Sequence, residues 1–198
     1  MEKKGQGLKF SFNSPAVLIF ALLCFAVMLL DKLTGHASTR LFFSVYRSSL
    51  FDPLTYVRMV GHVLGHGDWD HLIGNVMYIL ILGPMLEEKY GTKNLCFVML
   101  ATALVVGLAS FVLFPATALL GASGIVFSLI LLSSITGFRD RNIPLTFLLV
   151  AIIFIGKEIL SAITLQNNVS YFAHILGGAV GAALGFLMNK KAPPKRAA

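Results

Sequence analysis

Three places in this chain carry residue types that could do chemistry together. Ser123 lies among small residues in Gly121-Ala122-Ser123-Gly124, His71 stands four positions before Asn75, and His174 lies in a later apolar segment. A serine hydroxyl is a weak nucleophile until a base comes within hydrogen-bond reach, and an imidazole titrates where such a base is useful. Acyl transfer also needs donors aimed at the developing oxyanion. His71 and Asn75, at i and i+4, share one helix face. A serine that opens a helix adds its own free N–H at the positive end of the helix dipole. Taken singly, each feature has a plainer reading. Small residues and Asn75 suit helix packing in a membrane, and a lone histidine there usually bonds a carbonyl or a water.

The elements must therefore bring the three places together, and depth says that they can. Six apolar segments are expected, at about 15–33, 71–86, 94–114, 123–138, 143–165 and 171–188. His71 and Ser123 open the second and fourth, and His174 lies near the start of the sixth. Sixteen residues separate His71 from Glu87, Ser123 from Arg139 and His174 from Lys190, charges that end the same three segments. At about 1.5 Å per residue each lies roughly 24 Å from one boundary of a hydrocarbon core about 30 Å thick. Alternate segments run in the same direction, so the three residues share one level near the other face. Polar groups at that depth are costly and mark functional sites. Near that level these segments offer no carboxylate other than Glu158, so a Ser123–His174 dyad is expected, with His71, Asn75 and the Ser123 N–H around the oxyanion.

Composition supports the membrane reading. Of 198 residues 57% are hydrophobic and only 13% charged, against about a quarter charged in soluble domains. The fold class expected is all-α, a polytopic bundle of six transmembrane helices over 15–189, with basic tails at 1–14 and 190–198. A long amphipathic loop, about 34–70, mixes Phe42, Phe43, Tyr46, Phe51, Tyr56 and Trp69 with charges and suits the interface. The net charge of +7 does not point to nucleic acid, because the cations gather in loops and tails. Lys3, Lys4, Lys9, Lys89, Lys93, Arg139, Arg141, Lys190, Lys191, Lys195 and Arg196 fall on one side, which places both termini in the cytoplasm. Cys24 and Cys96 have no disulfide or metal spacing and read as small hydrophobes. The first apolar run is too long for a signal peptide and lacks a cleavage site. A short chain without a transit peptide points to a bacterial inner membrane.

At this point the pattern resembles the rhomboid family of intramembrane serine proteases, over about Pro53 to Gly185. Its parts are His66, His71-Leu72-x-x-Asn75, Gly83 through Glu87 with Gly91, Gly121-Ala122-Ser123-Gly124, and Ala173-His174-x-x-Gly177-x-x-x-Gly181. The resemblance implies a six-helix core, Ser123 as nucleophile, His174 as base, and His71 with Asn75 at the oxyanion. Gly121, Gly124, Phe127, His66, Gly177 and Gly181 would support them. It also implies single-span membrane proteins as substrates, cut near the outer end of their helix at small residues, with no cofactor and no metal. Two positions depart from the family's pattern. Val57-Arg58 stands where a Trp-Arg pair is common, and Phe127 where a tyrosine is common.

Two other functions are weighed. His62, His66 and His71 could hold a metal ion in a transporter, His62 and His66 sharing a face if helical; the family resemblance instead makes His66 a brace for the loop over the site. A non-catalytic binder of membrane helices could use the same groove. Lys157 and Glu158, inside the fifth segment, either snorkel to a watery surface or mark a mobile helix lining the path of a substrate.

Overall fold

The computed structural model describes residues 12–137, 143–164 and 168–190. It consists of eight helices: α1 (Pro15–Leu33), α2 (Ala37–Phe42), α3 (Pro53–Gly61), α4 (Trp69–Tyr90), α5 (Thr92–Leu113), α6 (Ser123–Ser134), α7 (Leu145–Thr164) and α8 (Asn168–Lys190). Among the described residues the only β pairing is an antiparallel bridge between Val45 and Leu119. The helices α1, α4, α5 and α8 are long and apolar enough to cross a membrane. The cations at 3–9, 139–141 and 191–196 lie outside the described residues, as do the side chains of Lys157, Glu158 and Lys190.

Local chemistry sets the helix starts. Pro15 and Pro53 occupy the first turn of α1 and α3, where a missing N–H costs nothing. The Asp52 carboxylate caps α3 through Leu54 N at 2.9 Å. Asp68 caps α4 through His71 N at 2.7 Å, so α4 begins two residues before the expected start. Gly91, at φ 82°, is the single residue between α4 and α5. The long loop folds into α2 and α3 and is held by Arg58, which is buried. Its guanidinium donates to Asp52 Oδ2 at 2.7 Å, Ser48 Oγ at 2.9 Å and Leu41 O at 3.3 Å, and lies over the Tyr46 ring.

The centre of the bundle is α6. It spans twelve residues, most of them buried, and ends at Ser134, a turn short of the expected limit. It packs most closely on α8, with α4, α5 and α7 around it. The α6–α8 contact is backbone against backbone. A Cβ on Gly177 would stand 2.2 Å from Gly124 O, and one on Gly181 would stand 2.1 Å from Ser128 O. At the opposite end, Asn189 donates to Ile135 O at 2.8 Å and accepts from the Tyr90 hydroxyl at 3.2 Å. The start of α1 is tied to α4 by Glu87, whose carboxyl oxygens accept from Ala16 N, Val17 N and the Thr92 hydroxyl at 3.0, 3.1 and 2.8 Å.

Candidate active site

Ser123 is the first residue of α6, and no side chain caps that N-terminus. His174 lies two turns into α8. The contact through Gly124 and Gly177 brings these helices close enough that His174 Nε2 and Ser123 Oγ are 2.9 Å apart. With the ring proton on Nδ1, the hydroxyl donates to Nε2, the arrangement that readies a serine for attack. The Phe127 ring lies one turn below Ser123 and tilts over the His174 imidazole, with centroids 4.4 Å apart. Tyr171 meets the same imidazole edge-on at 6.5 Å.

The other half of the site comes from α4 and the loop before Ser123. Gly121 has φ 119°, a conformation that side chains strain against. A Cβ there would also stand 2.7 Å from His71 Nε2 and 3.8 Å from Asn75 Nδ2. The missing side chain leaves a cradle with His71 and Asn75 on one wall and the start of α6 beside it. Asn75 is buried and its Nδ2 has no hydrogen-bond partner among the described residues. A buried unpaired donor is expensive, and this one lies 3.8 Å from the place a Cβ on Gly121 would take, two residues before Ser123. Asn75 and His71 are four apart on α4, and the Asp68 cap fixes where that face begins.

Two further histidines hold the strained loop. The Gly121 N–H donates to the His62 carbonyl at 2.9 Å, and the Ala122 N–H donates to His66 Nε2 at a long 3.4 Å. Because Nε2 accepts, the His66 proton is on Nδ1, which donates to Leu64 O at 3.2 Å. The His62 ring turns the other way and donates from Nε2 to Ala103 O of α5 at 3.0 Å. Burial pushes His62 down to about 4. Burial, with His71 beside it, does the same to His66, also about 4. Both are therefore neutral at neutral pH, as an accepting His66 must be. The rings of His62 and His66 do not converge on a point. Among the described residues no three His, Cys, Asp or Glu side chains are placed to hold a metal ion.

Of the residues expected from the sequence, the structure brings Ser123, His174, His71, Asn75, Gly121, Gly124, Phe127, His66 and Gly177 together here, while Gly181 lies a turn further along α8 against Ser128. Sequence reasoning missed the His62 carbonyl, which no residue type can signal. It also missed Asp68, although an aspartate three residues before His71 is a readable helix-cap pattern.

A family model described as the rhomboid domain matches residues 53–191. Among similar proteins, rhomboid-related protein 2 of Mus musculus is 31% identical over 158 residues, covering 69% of this chain and 52% of its own length. Rhomboid-like protein 11, chloroplastic, of Arabidopsis thaliana is 27% identical over 139 residues, 63% of this chain and 50% of its own. Rhomboid protease GlpG of Yersinia pestis is 27% identical over 175 residues, 87% of this chain and 62% of its own. The chain thus spans between half and 62% of the length of these relatives. With a matched domain over most of its length and several helices apolar enough to cross a bilayer, the chain is a multi-pass membrane protein and belongs to the rhomboid family.

Proposed function

We propose that the protein is an intramembrane serine endopeptidase with Ser123 and His174 as its dyad. The observation that carries this reading is the 2.9 Å contact between Ser123 Oγ and His174 Nε2 beside a buried, unpaired Asn75 amide. Ser123 Oγ attacks a peptide carbonyl as His174 Nε2 takes the hydroxyl proton. The oxyanion that forms accepts hydrogen bonds from the Ser123 N–H, Asn75 Nδ2 and His71. The imidazolium then gives its proton to the departing amine, the C–N bond breaks, and an acyl-serine remains. Water attacks this ester with His174 again as base, releasing the acid and restoring Ser123. Phe127 holds the imidazole in place through its tilted ring contact, and Gly121 keeps the cradle open.

The substrates in this reading are single-span membrane proteins, cut near the outer membrane face at small residues. Residues 15–189 form the membrane domain, with six spans and both termini in the cytoplasm of a bacterial cell, its inner membrane being the site of action. The dyad needs no cofactor. The test is labelling of the purified protein in detergent with a fluorophosphonate probe. The native protein is expected to label, and Ser123→Ala and His174→Ala to abolish it. A folded native protein that does not label would transfer the reading to a non-catalytic binder of membrane helices.

A further inference from the structure

A second cavity lies away from the site, between α1, α5 and the segment that joins α3 to α4. It measures about 380 Å3 and its walls are almost wholly apolar. Ile19 and Leu23 of α1 face Leu100 and Met99 of α5 across it. Val60, Val63 and Leu64 close its upper end, and Thr92 stands at its foot. The gap exists because α1 packs mainly on α4 and only lightly on α5. Ile19, Leu23 and Leu100 are about half exposed, so the cavity opens onto the outward face of the helices, which a multi-pass protein presents to lipid.

We propose that this groove is a binding site for one acyl chain of a bilayer phospholipid. Length and depth select that occupant. The groove follows α5 for the twelve residues from Thr92 to Ala103, about 16 Å of rise. That matches half of a hydrocarbon core about 30 Å thick, one leaflet on the Glu87 side. A transmembrane helix, about 10 Å across with its side chains, is the competing occupant, and the experiment below separates the two. An empty apolar slot would forfeit dispersion contacts on every wall, and the surrounding medium has acyl chains to supply them. The roof of the groove is the segment that carries His62 and His66, whose carbonyl and ring hold the Gly121 and Ala122 N–H groups. An acyl chain beneath it props that segment from below.

The site is tested with phosphatidylglycerol bearing a diazirine midway along one chain, in vesicles of phosphatidylethanolamine and phosphatidylglycerol. Native protein and Ser123→Ala are irradiated in parallel, so the result is independent of any catalytic activity. Cross-links are expected within residues 60–64 and 99–103, and to be lost in Ile19→Trp/Cys96→Trp, which fills the groove. Cys96 is exposed at its edge, so Cys96→Phe alone serves if the double variant fails to fold. Leu108→Trp, on the outward face of α5, is expected to leave the cross-links unchanged. Labelling confined to outward residues such as Leu29 and Leu108 would overturn the site. So would groove labelling that the tryptophans do not reduce, that a single-span peptide displaces, or that copy-to-copy links through α1 replace.

Discussion

Asn75 illustrates how much one side chain is asked to do. Its amide nitrogen is buried without a partner among the described residues, and a donor kept in that condition is useful when something arrives to pair with it. Asn75→Ala is therefore expected to lower kcat by about a hundred- to a thousand-fold, with little change in KM for a single-span peptide substrate. Phe127→Tyr should preserve activity and Phe127→Ala should reduce it, because the stack at 4.4 Å requires only the ring. His62 and His66 give a pH dependence whose sign is fixed by their lowered values. Each binds its proton less readily in the folded protein than the ordinary 6.5, with a folded value of about 4. The stability that this gives is fully present above about 6.5 and is lost as the pH falls toward 4, because the unfolded chain takes up the protons first. For the fully buried His62 this amounts to roughly 3 kcal/mol. Thermal unfolding in detergent is expected to move to lower temperature across that window, and His62→Gln to flatten the change. The types and spacing of these residues were readable in the sequence. The tautomer of His66 was not, since it follows from which neighbour donates.

At the scale of elements, the contact between α6 and α8 sets the dyad distance. Gly177→Ala would push a methyl group into the Gly124 carbonyl and separate the two helices, at about 1–3 kcal/mol. Activity should fall further than stability, because His174 rides on the displaced helix. Gly74 on α4 is the control. A Cβ there meets nothing within 4 Å, so Gly74→Ala should leave activity intact and raise stability by up to about 1 kcal/mol. Kinetics and melting curves of the two variants separate packing glycines from incidental ones. The sequence located all the long helices from apolar runs, Pro15 and the charges at their ends. It overran α6 because Ile135 to Gly137 continue the apolar pattern while the chain has already turned. It left α2 and α3 as an interfacial stretch because helices this short have no period to read.

For the molecule as a whole, α1 is an accessory clasped at its foot. Glu87 accepts from the first two N–H groups of α1, and Val17 lies where a Cβ on Gly83 would stand. Glu87→Ala orphans those donors at about 1–3 kcal/mol, which corresponds to a melting shift of roughly 2–12 °C for a chain of this size. Fluorophosphonate labelling at low temperature should survive, since the dyad belongs to α6 and α8. In the sequence Glu87 read as a boundary charge and as the end of a family motif, not as a clasp on α1. Its long-range partners, seventy residues away in the chain, leave no local pattern.

The glycines of α8 recur every four residues, at 177, 181 and 185, and this spacing makes sliding along α6 a discrete matter. A slip of one residue drives a Cβ into a carbonyl. A slip of four carries Gly181 opposite Gly124 and Gly185 opposite Ser128, which suits those two contacts, but it presents Gly178 to Ser123 in place of His174 and puts Asn189 where Gly185 now meets Ile135 and Leu132. The contacts at Gly124 and Ser128 alone therefore permit two settings, one with a base and one without. What distinguishes them is Asn189, fifteen residues beyond His174, which can reach Ile135 and Tyr90 in only one. The dyad is thus indexed from the far end of the helix, and Asn189→Ala tests the selection at a distance of about 22 Å.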